Sequence, residues 1–472
     1  VRSDRHEMPT GTFLAIARGG GGRSAVRRLL AGQLSRNLLA LREVVALSQD
    51  VGHPHAPLAR HAWTLLAELR RDAPGAARAV LGYPSVSVWA VRTLAALRDG
   101  EIGAEPALLG AVVAAVALRA GTRARVVMPT APTGAAVVAL PGLGLLRRGP
   151  GDGVAKLNGG GAALPGHGTG ELNGGGAELT VDGGRGLVAL DGVPATPAGD
   201  ARLSWQPTYR LRARGRGPVF HLDDPWALVD PAGVVPVDAA GAARWRARLA
   251  PGWRLLATRH RSSAADLAEV VSVLTPLRRD PAGRPLAALA GGGTPAELTA
   301  PLISGTFPAA VGCIALAGTG DARTIAATLV HELAHNKLAA LDDLFPLVEP
   351  TAGARHPAPW RAGPRPLPAL VHGLYAHVAV GGFWLRQRHH ETAAGRHLAR
   401  AEFVRVRAAC REVAGLLRVA DGLTGHGRLL VEQLDTVVAG WADRPAPGRG
   451  RPVRDRTGWR PVATRWGASV SP

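Results

Sequence analysis

Apolar residues recur every three to four positions over most of this chain, the period of a helix with one face turned inward. Between 24 and 47 they fall at Val26, Leu29, Leu30, Leu34, Leu38, Leu39 and Leu41, which predicts one long amphipathic helix. The same spacing predicts helices over 58–71, 86–98 and 105–120. From 122 to 200 the pattern changes. Residues 125–128, 136–140, 177–181 and 186–190 are short strand-like runs between Gly and Pro clusters. The sequence Leu-Asn-Gly-Gly-Gly-Ala at 157–162 recurs at 172–177 and reads as a hairpin or surface loop. Helical spacing returns near Ala239, where Trp245, Leu249, Trp253 and Leu256 share a face, and it continues over 267–277. The clearest helix runs from 322 to 344, with Asp321 or Thr319 as its cap. A Pro-rich link over 346–368 precedes helices at 369–390, 400–417 and 427–441. Beyond Asp443 five prolines and many arginines predict a loose tail.

These elements predict an α+β chain, predominantly helical, with a small antiparallel β region in the middle. Its expected organisation is an N-terminal helical region over 1–121, a small β region with the Gly-rich loop over 122–222, a helical catalytic region over 223–442 and a tail over 443–472. The four glycines at 19–22 are followed by Arg23-Ser24 and not by the Gly-Lys-Ser/Thr ending of a phosphate loop. The short run 13–17 is the only strand that could precede them, so they read as a flexible helix start.

Composition changes this picture little. The chain has 472 residues, 46% of them hydrophobic, enough for a sizeable core. The net charge of +20 would ordinarily point to nucleic acid or an anionic membrane. Yet Lys156 and Lys337 are the only lysines, and the Ala, Gly, Pro, Val and Arg bias is what GC-rich codons impose. The charge is therefore discounted, and neither nucleic acid nor membrane is expected as a partner. Two distant cysteines, Cys313 and Cys410, imply neither a disulfide framework nor a thiolate metal site. The N-terminus has no apolar signal region, Met8 reads as the natural start, and a reducing cytoplasm is the expected compartment.

The chemistry is carried by His331-Glu-Leu-Ala-His335. A chain with these His and Glu frequencies would show His-Glu-x-x-His by chance only about 0.02 times. Within a helix the two rings project from one face, one turn apart. Apolar neighbours at Leu329, Val330, Leu333, Leu338 and Leu341 give them a dry setting suited to a divalent metal. One reading is a zinc hydrolase, with Glu332 deprotonating a bound water. The metzincin pattern fails, because Leu338 and Leu341 stand where Gly and His are needed. A gluzincin-like site needs a downstream Glu on a second helix, and neither Glu349, in the Pro-flanked link, nor the distant Glu391 is compelling. The other reading is non-haem iron, with three protein ligands on one face and three open positions for 2-oxoglutarate and dioxygen. His372 is the candidate third ligand. His377 competes, although its spacing from His372 sets it on a different helix face, and His356 in the link is a further option. Gly373 would permit close helix approach. Arg361 and Arg365 could offer a guanidinium fork to a carboxylate such as the distal one of 2-oxoglutarate. Asp342 and Asp343 would make structural contacts or hold a ligand histidine in place.

The segments 328–338 (Thr-Leu-Val-His-Glu-Leu-Ala-His-Asn-Lys-Leu), 343–347 (Asp-Leu-Phe-Pro-Leu), 358–361 (Ala-Pro-Trp-Arg), 364–367 (Pro-Arg-Pro-Leu) and 372–376 (His-Gly-Leu-Tyr-Ala) resemble a bacterial peptide-modification family, the HExxH-type peptide β-hydroxylases of ribosomal-peptide gene clusters. Fainter similarities lie at 19–41, at Tyr83-Pro-Ser85 with Trp89, and at His221-Leu-Asp-Asp-Pro225. The resemblance implies a mainly helical Fe(II) enzyme that uses 2-oxoglutarate and dioxygen to hydroxylate a β-carbon in a precursor peptide. It implies His331, His335 and His372 as metal ligands and Glu332 as an outer or proton-handling group. Arg361 and Arg365 match its Trp-Arg and Arg-Pro elements. The chain departs from the family at 304–315, where Ser304-Gly-Thr-Phe-Pro replaces a serine-rich run, and in its Gly-rich insert. The rival expectations are a zinc peptidase that removes a leader peptide and a non-catalytic module that binds precursor peptide.

Overall fold

Helices dominate, as the apolar spacing requires. The structure is a computed structural model that describes residues 7–101, 104–129, 137–148, 176–191, 193–197, 203–213, 218–230, 234, 237–277, 302–350 and 353–441. The expected tail and nearly all of the Gly-rich repeat lie outside the described residues. Among those residues the helices are α1 (Thr10–Ala17), α2 (Gly22–Asp50), α3 (Ala56–Asp72), α4 (Pro74–Leu81), α5 (Pro84–Arg98), α6 (Leu109–Ala120), α7 (Ala239–Arg259), α8 (Arg261–Val270), α9 (Ala322–Asp342), α10 (Leu367–Gln387), α11 (Ala393–Arg418) and α12 (Gly425–Ala439). With small sheets beside them they make a predominantly helical α+β fold. Residues 13–17 belong to helix α1, so no strand precedes the four glycines. One expectation fails locally. The helix expected over 267–277 stops at Val270, and Val273–Pro276 forms a strand, because the β-branched run Val270, Val271, Val273 favours extended backbone. No single helix among the described residues is long and apolar enough to cross a membrane.

The chain divides into two compact units. One comprises Gln33–Arg210 and His221–Asp238. Its strands are β1 (Arg123–Pro129), β2 (Val137–Leu140), β3 (Gly144–Arg148), β4 (Gly176–Asp182), β5 (Leu187–Leu190), β6 (Val193–Pro194), β7 (Thr196–Pro197) and β8 (Leu203–Pro207). They form two four-stranded sheets, ordered β1-β4-β5-β6 and β2-β3-β8-β7. Pairing is antiparallel except between β7 and β8. Helix α6 is buried from Leu109 through Ala117. Its Gly110 lets Met128 of β1 approach, since a Cβ there would lie 2.8 Å from the sulfur. Gly121, at φ 71°, ends α6 in the left-handed conformation that glycine tolerates best.

A titration is built into this unit. The Tyr83 hydroxyl donates to Asp223 Oδ2 at 2.6 Å, and burial pushes the Asp223 carboxyl up to about 6. A carboxyl raised by folding ionises first in the unfolded chain, so the fold loses stability as pH climbs from about 4 to about 6. Asn can accept from the Asp224 N–H and donate to Tyr83. Asp223→Asn is therefore expected to add roughly 1–3 kcal/mol at pH 8 and nothing near pH 3. Urea unfolding at the two pH values checks this; an equal effect at both refutes it.

The other unit comprises Val1–Gly32, Leu211–Phe220 and Ala239–Pro472. A five-stranded sheet involves β9 (Tyr209–Arg212), β10 (Val219–Leu222), β11 (Val273–Pro276), β12 (Ile303–Gly305) and β13 (Cys313–Ala317), ordered β12-β13-β11-β10-β9. β13 pairs in parallel with β11 and antiparallel with β12. The Pro-rich link is not irregular throughout. It contains an antiparallel hairpin, β14 (Arg355–Ala358) with β15 (Arg361–Pro366).

Helix α9 lies at the core of this unit. Asp321 starts it by accepting from the Thr324 N–H at 2.8 Å. From Ile325 to Leu341 all its residues are buried except His335. Helix α7 reaches it at Gly252, where a Cβ would lie 2.4 Å from Ile325 Cγ2. A helix buried on every side must satisfy its polar residues internally. Asn336 accepts from the Gly312 N–H at 2.7 Å and donates to the Cys313 and Glu332 carbonyls, tying α9 to β13. The Lys337 ammonium donates to Asp266 Oδ2 of α8 at 3.0 Å and to the Gly20 carbonyl at 2.8 Å. The Tyr375 hydroxyl of α10 donates to the Ile16 carbonyl of α1.

Candidate metal centre

The rings of His331 and His335 stand one turn apart on α9, and their Nε2 atoms are 3.0 Å apart. Two imidazoles sharing one ion at about 2.1 Å would hold their nitrogens roughly 3.0–3.4 Å apart at coordination angles of about 90–109°. The observed spacing is that of co-ligands. Two nitrogens this close cannot both carry protons comfortably. Burial, then His335 and His377, push His331 well below its ordinary value. Burial, then His372 and His377, push His335 down to about 3. Both are therefore neutral at pH 7, the state in which an imidazole offers a lone pair. His335 is half-buried, so the pair has an open side.

Helix α10 brings two further rings. His372 faces His335 nearly parallel, with centroids 6.0 Å apart. His377 meets His331 edge to face at 5.3 Å. The pairing of 335 with 372 and of 331 with 377 shows that α9 and α10 run in opposite directions here. Sequence reasoning set His377 on a different face from His372. That angle is right, but two rings 140° apart on one helix can both flank the neighbouring helix. His377 is fully buried and shares a 2.7 Å hydrogen bond between Nδ1 and the Gly373 carbonyl, which places its proton on Nδ1. Burial pushes its ring down to about 4. His372 keeps 20% of its side chain exposed, and its Nε2 lies 3.7 Å from Asp342 Oδ2. Asp342 also accepts from the Leu347 N–H at 2.8 Å, so it holds the turn after α9 and stands beside His372. Among the described residues no group of three or more His, Cys, Asp or Glu side chains converges closely enough to hold an ion. The α9 pair has ligand spacing.

Glu332 turns to the sheet. It is 1% exposed, and Oε1 accepts from Ser304 Oγ of β12 at 2.7 Å. Burial lifts its carboxyl to about 7, against the pull of hydrogen bonds from Ser304 and Thr306. The chain's own Ser304-Gly-Thr306 segment thus supplies the partners of the motif glutamate.

The hairpin joins the centre through Trp360, whose indole stacks on His377 with centroids 4.2 Å apart at 17°. Gly373 makes room for the indole, not for a helix as the sequence suggested. A Cβ there would lie 2.6 Å from Trp360 Cζ2. Gly373→Val is expected to drive the indole off His377 and cost roughly 1–3 kcal/mol, as overpacking does. Thermal unfolding measures the cost, and unchanged stability would mean that Trp360 is free to move. Arg361 and Arg365 are half-buried on one face of β15. Burial, then Arg361 and Arg355, push the Arg365 guanidinium down, so three guanidiniums gather on this hairpin. His356 lies on β14 opposite Arg365. Sequence reasoning missed Trp360 as a ring partner and Ser304 and Thr306 as glutamate partners. A single Trp, Ser or Thr carries no periodic signal.

The chain matches no family model and no curated protein.

Proposed function

We propose that this chain is an Fe(II)- and 2-oxoglutarate-dependent oxygenase that hydroxylates a side-chain β-carbon in a ribosomally made precursor peptide. The observation that carries the reading is the pair of neutral imidazoles with Nε2 atoms 3.0 Å apart on α9. The sequence resemblance supplies the reaction class. Iron with 2-oxoglutarate and dioxygen would supply the oxidising power to replace C–H by C–OH, leaving succinate and carbon dioxide. His331 and His335 would hold the ion, and α10 would supply the third nitrogen from His372 or His377. His377 has its proton on Nδ1, facing the Gly373 carbonyl, so its lone pair is on Nε2. Arg361 and Arg365 would bind the distal carboxylate of 2-oxoglutarate. Trp360 covers one face of His377 against water.

A zinc peptidase would need Glu332 to reach a metal-bound water; here its Oε1 accepts from Ser304 on the sheet side. Its role in the proposal is to fix the orientation of α9. Buried thiols at Cys313 and Cys410, with no disulfide between them, suit the reducing cytoplasm in which Fe(II) persists.

The test is a turnover assay. Protein purified without oxygen is given Fe(II), 2-oxoglutarate, air and the candidate peptide. Succinate together with a peptide heavier by one oxygen is the expected result. Peptide fragments would instead establish the peptidase, and binding without either product the non-catalytic module. His372→Ala and His377→Ala, each assayed for iron retention, decide which ring is the third ligand: the true ligand's variant loses iron and the other keeps it.

A further inference from the structure

A second cluster of basic side chains lies in the unit that contains β1–β8, independent of the histidine centre. Arg119 lies in the last turn of α6, and its Nη2 donates to the Gly142 carbonyl at 3.1 Å. Gly142, at φ 67°, turns the chain between β2 and β3. A Cβ there would lie 2.9 Å from both Arg119 Nη2 and the Tyr83 ring, so the guanidinium and the phenol flank one glycine. Tyr83 in turn packs against His221, with ring centroids 5.6 Å apart. Arg210, exposed on β9, bears electrostatically on both Arg119 and His221.

This cluster carries charge without a counter-charge. Among the described residues neither Arg119 nor Arg210 makes an ion pair. The nearby carboxylate, Asp223, is engaged elsewhere. It accepts from the Tyr83 hydroxyl and, through Oδ1, from the Asp224 N–H at 2.8 Å. Two polar atoms are also left over. Arg119 Nε and His221 Nδ1 are both buried and have no hydrogen-bond partner among the described residues. A buried donor without a partner costs about 1–3 kcal/mol, and two guanidiniums beside an imidazole repel one another. Burial and the two arginines drive His221 down to about 4. An anion would relieve all of these costs at once: it accepts from the unsatisfied nitrogens and neutralises the guanidiniums.

We propose that Arg119, Arg210 and His221 form a binding site for a small oxyanion, a carboxylate or phosphate group, with Tyr83 and Gly142 shaping its wall. The Tyr83–Asp223 hydrogen bond holds the phenol in place, and Arg210 forms the entrance. This site does not depend on the metal centre or on the reaction proposed there.

Isothermal titration of the full chain with inorganic phosphate, and separately with succinate, at about 0.15 M salt tests the proposal. Saturable binding of at least one anion to one site per chain is expected, and the tighter of the two names the group. Arg210→Gln should weaken it about tenfold, the loss of one charge-assisted hydrogen bond. Arg119→Gln/Arg210→Gln should weaken it further. One control, Arg125→Gln/Arg185→Gln, should bind as the parent does, because it removes the same charge from exposed positions of the same unit. No saturable binding, an undiminished affinity in the Arg119→Gln/Arg210→Gln variant, or an equal loss in the control overturns the proposal. Should the Arg119 variant fail to fold, Arg210→Gln alone decides, since that exposed side chain supports no buried contact.

Discussion

A His331→Ala chain is expected to leave anaerobic purification without iron and to form no succinate from 2-oxoglutarate. The reason is geometric. The α9 pair has co-ligand spacing, and His331 is its buried member. Removing one of its two nitrogens leaves His335 with no partner at ligand distance. The loss should exceed the roughly 10–100-fold typical of outer partners of a metal site. Glu332→Gln supplies that smaller comparison, because Gln can still accept from Ser304. The fold should survive both changes. Helix α9 keeps its Asp321 cap, the three hydrogen bonds of Asn336 and the Lys337 contacts. Circular dichroism and metal analysis on the same sample separate ligand loss from unfolding. Iron content equal to the parent's would place the metal elsewhere and end the proposal.

The second large effect is on stability. Lys337 and Asp266 form an ion pair with side chains only 4% and 9% exposed. Water is excluded, so neither charge can be solvated once its partner is gone. Asp266→Ala strands the ammonium and is expected to cost about 3–5 kcal/mol in urea unfolding. Lys337→Met strands the carboxylate and also releases the Gly20 carbonyl. Changing both, Lys337→Met with Asp266→Leu, should recover most of the loss, because an apolar pair has no desolvation penalty. A double variant as unstable as the sum of the singles would show that the two charges do not act as a pair.

The longer helices were legible in the sequence because each has either a regular apolar face or a clear start; α1, α4 and most of α8, at eight to ten residues, are too short to show a period. α3 and α5 show the first; α9 shows the second, in the Asp321 cap ahead of a long unbroken run. The hairpin over 355–366 was not legible. Its prolines, glycine and arginines have no alternation, and the docking of its Trp360 on α10 is a tertiary contact. The strand at Val273–Pro276 was lost to a short apolar run that suits helix and strand equally. At the centre, the motif announced the α9 pair, since i and i+4 on a helix need no tertiary knowledge. His377 could not be placed from α10 alone, because its relevance depends on how two helices cross. Ser304 reaches Glu332 across 28 residues of chain, and pairings of that kind leave no local trace.

The amino-terminal segment has a practical bearing on how this protein is produced. The carbonyls of Ile16 and Gly20 receive the Tyr375 hydroxyl and the Lys337 ammonium. Trimming the chain past Ile16 would remove the acceptor of the buried Tyr375 hydroxyl, and trimming past Gly20 that of the buried Lys337 ammonium as well. An expression design that shortens this end so far leaves buried donors unmatched, whereas an affinity tag appended ahead of Met8 leaves both acceptors in place.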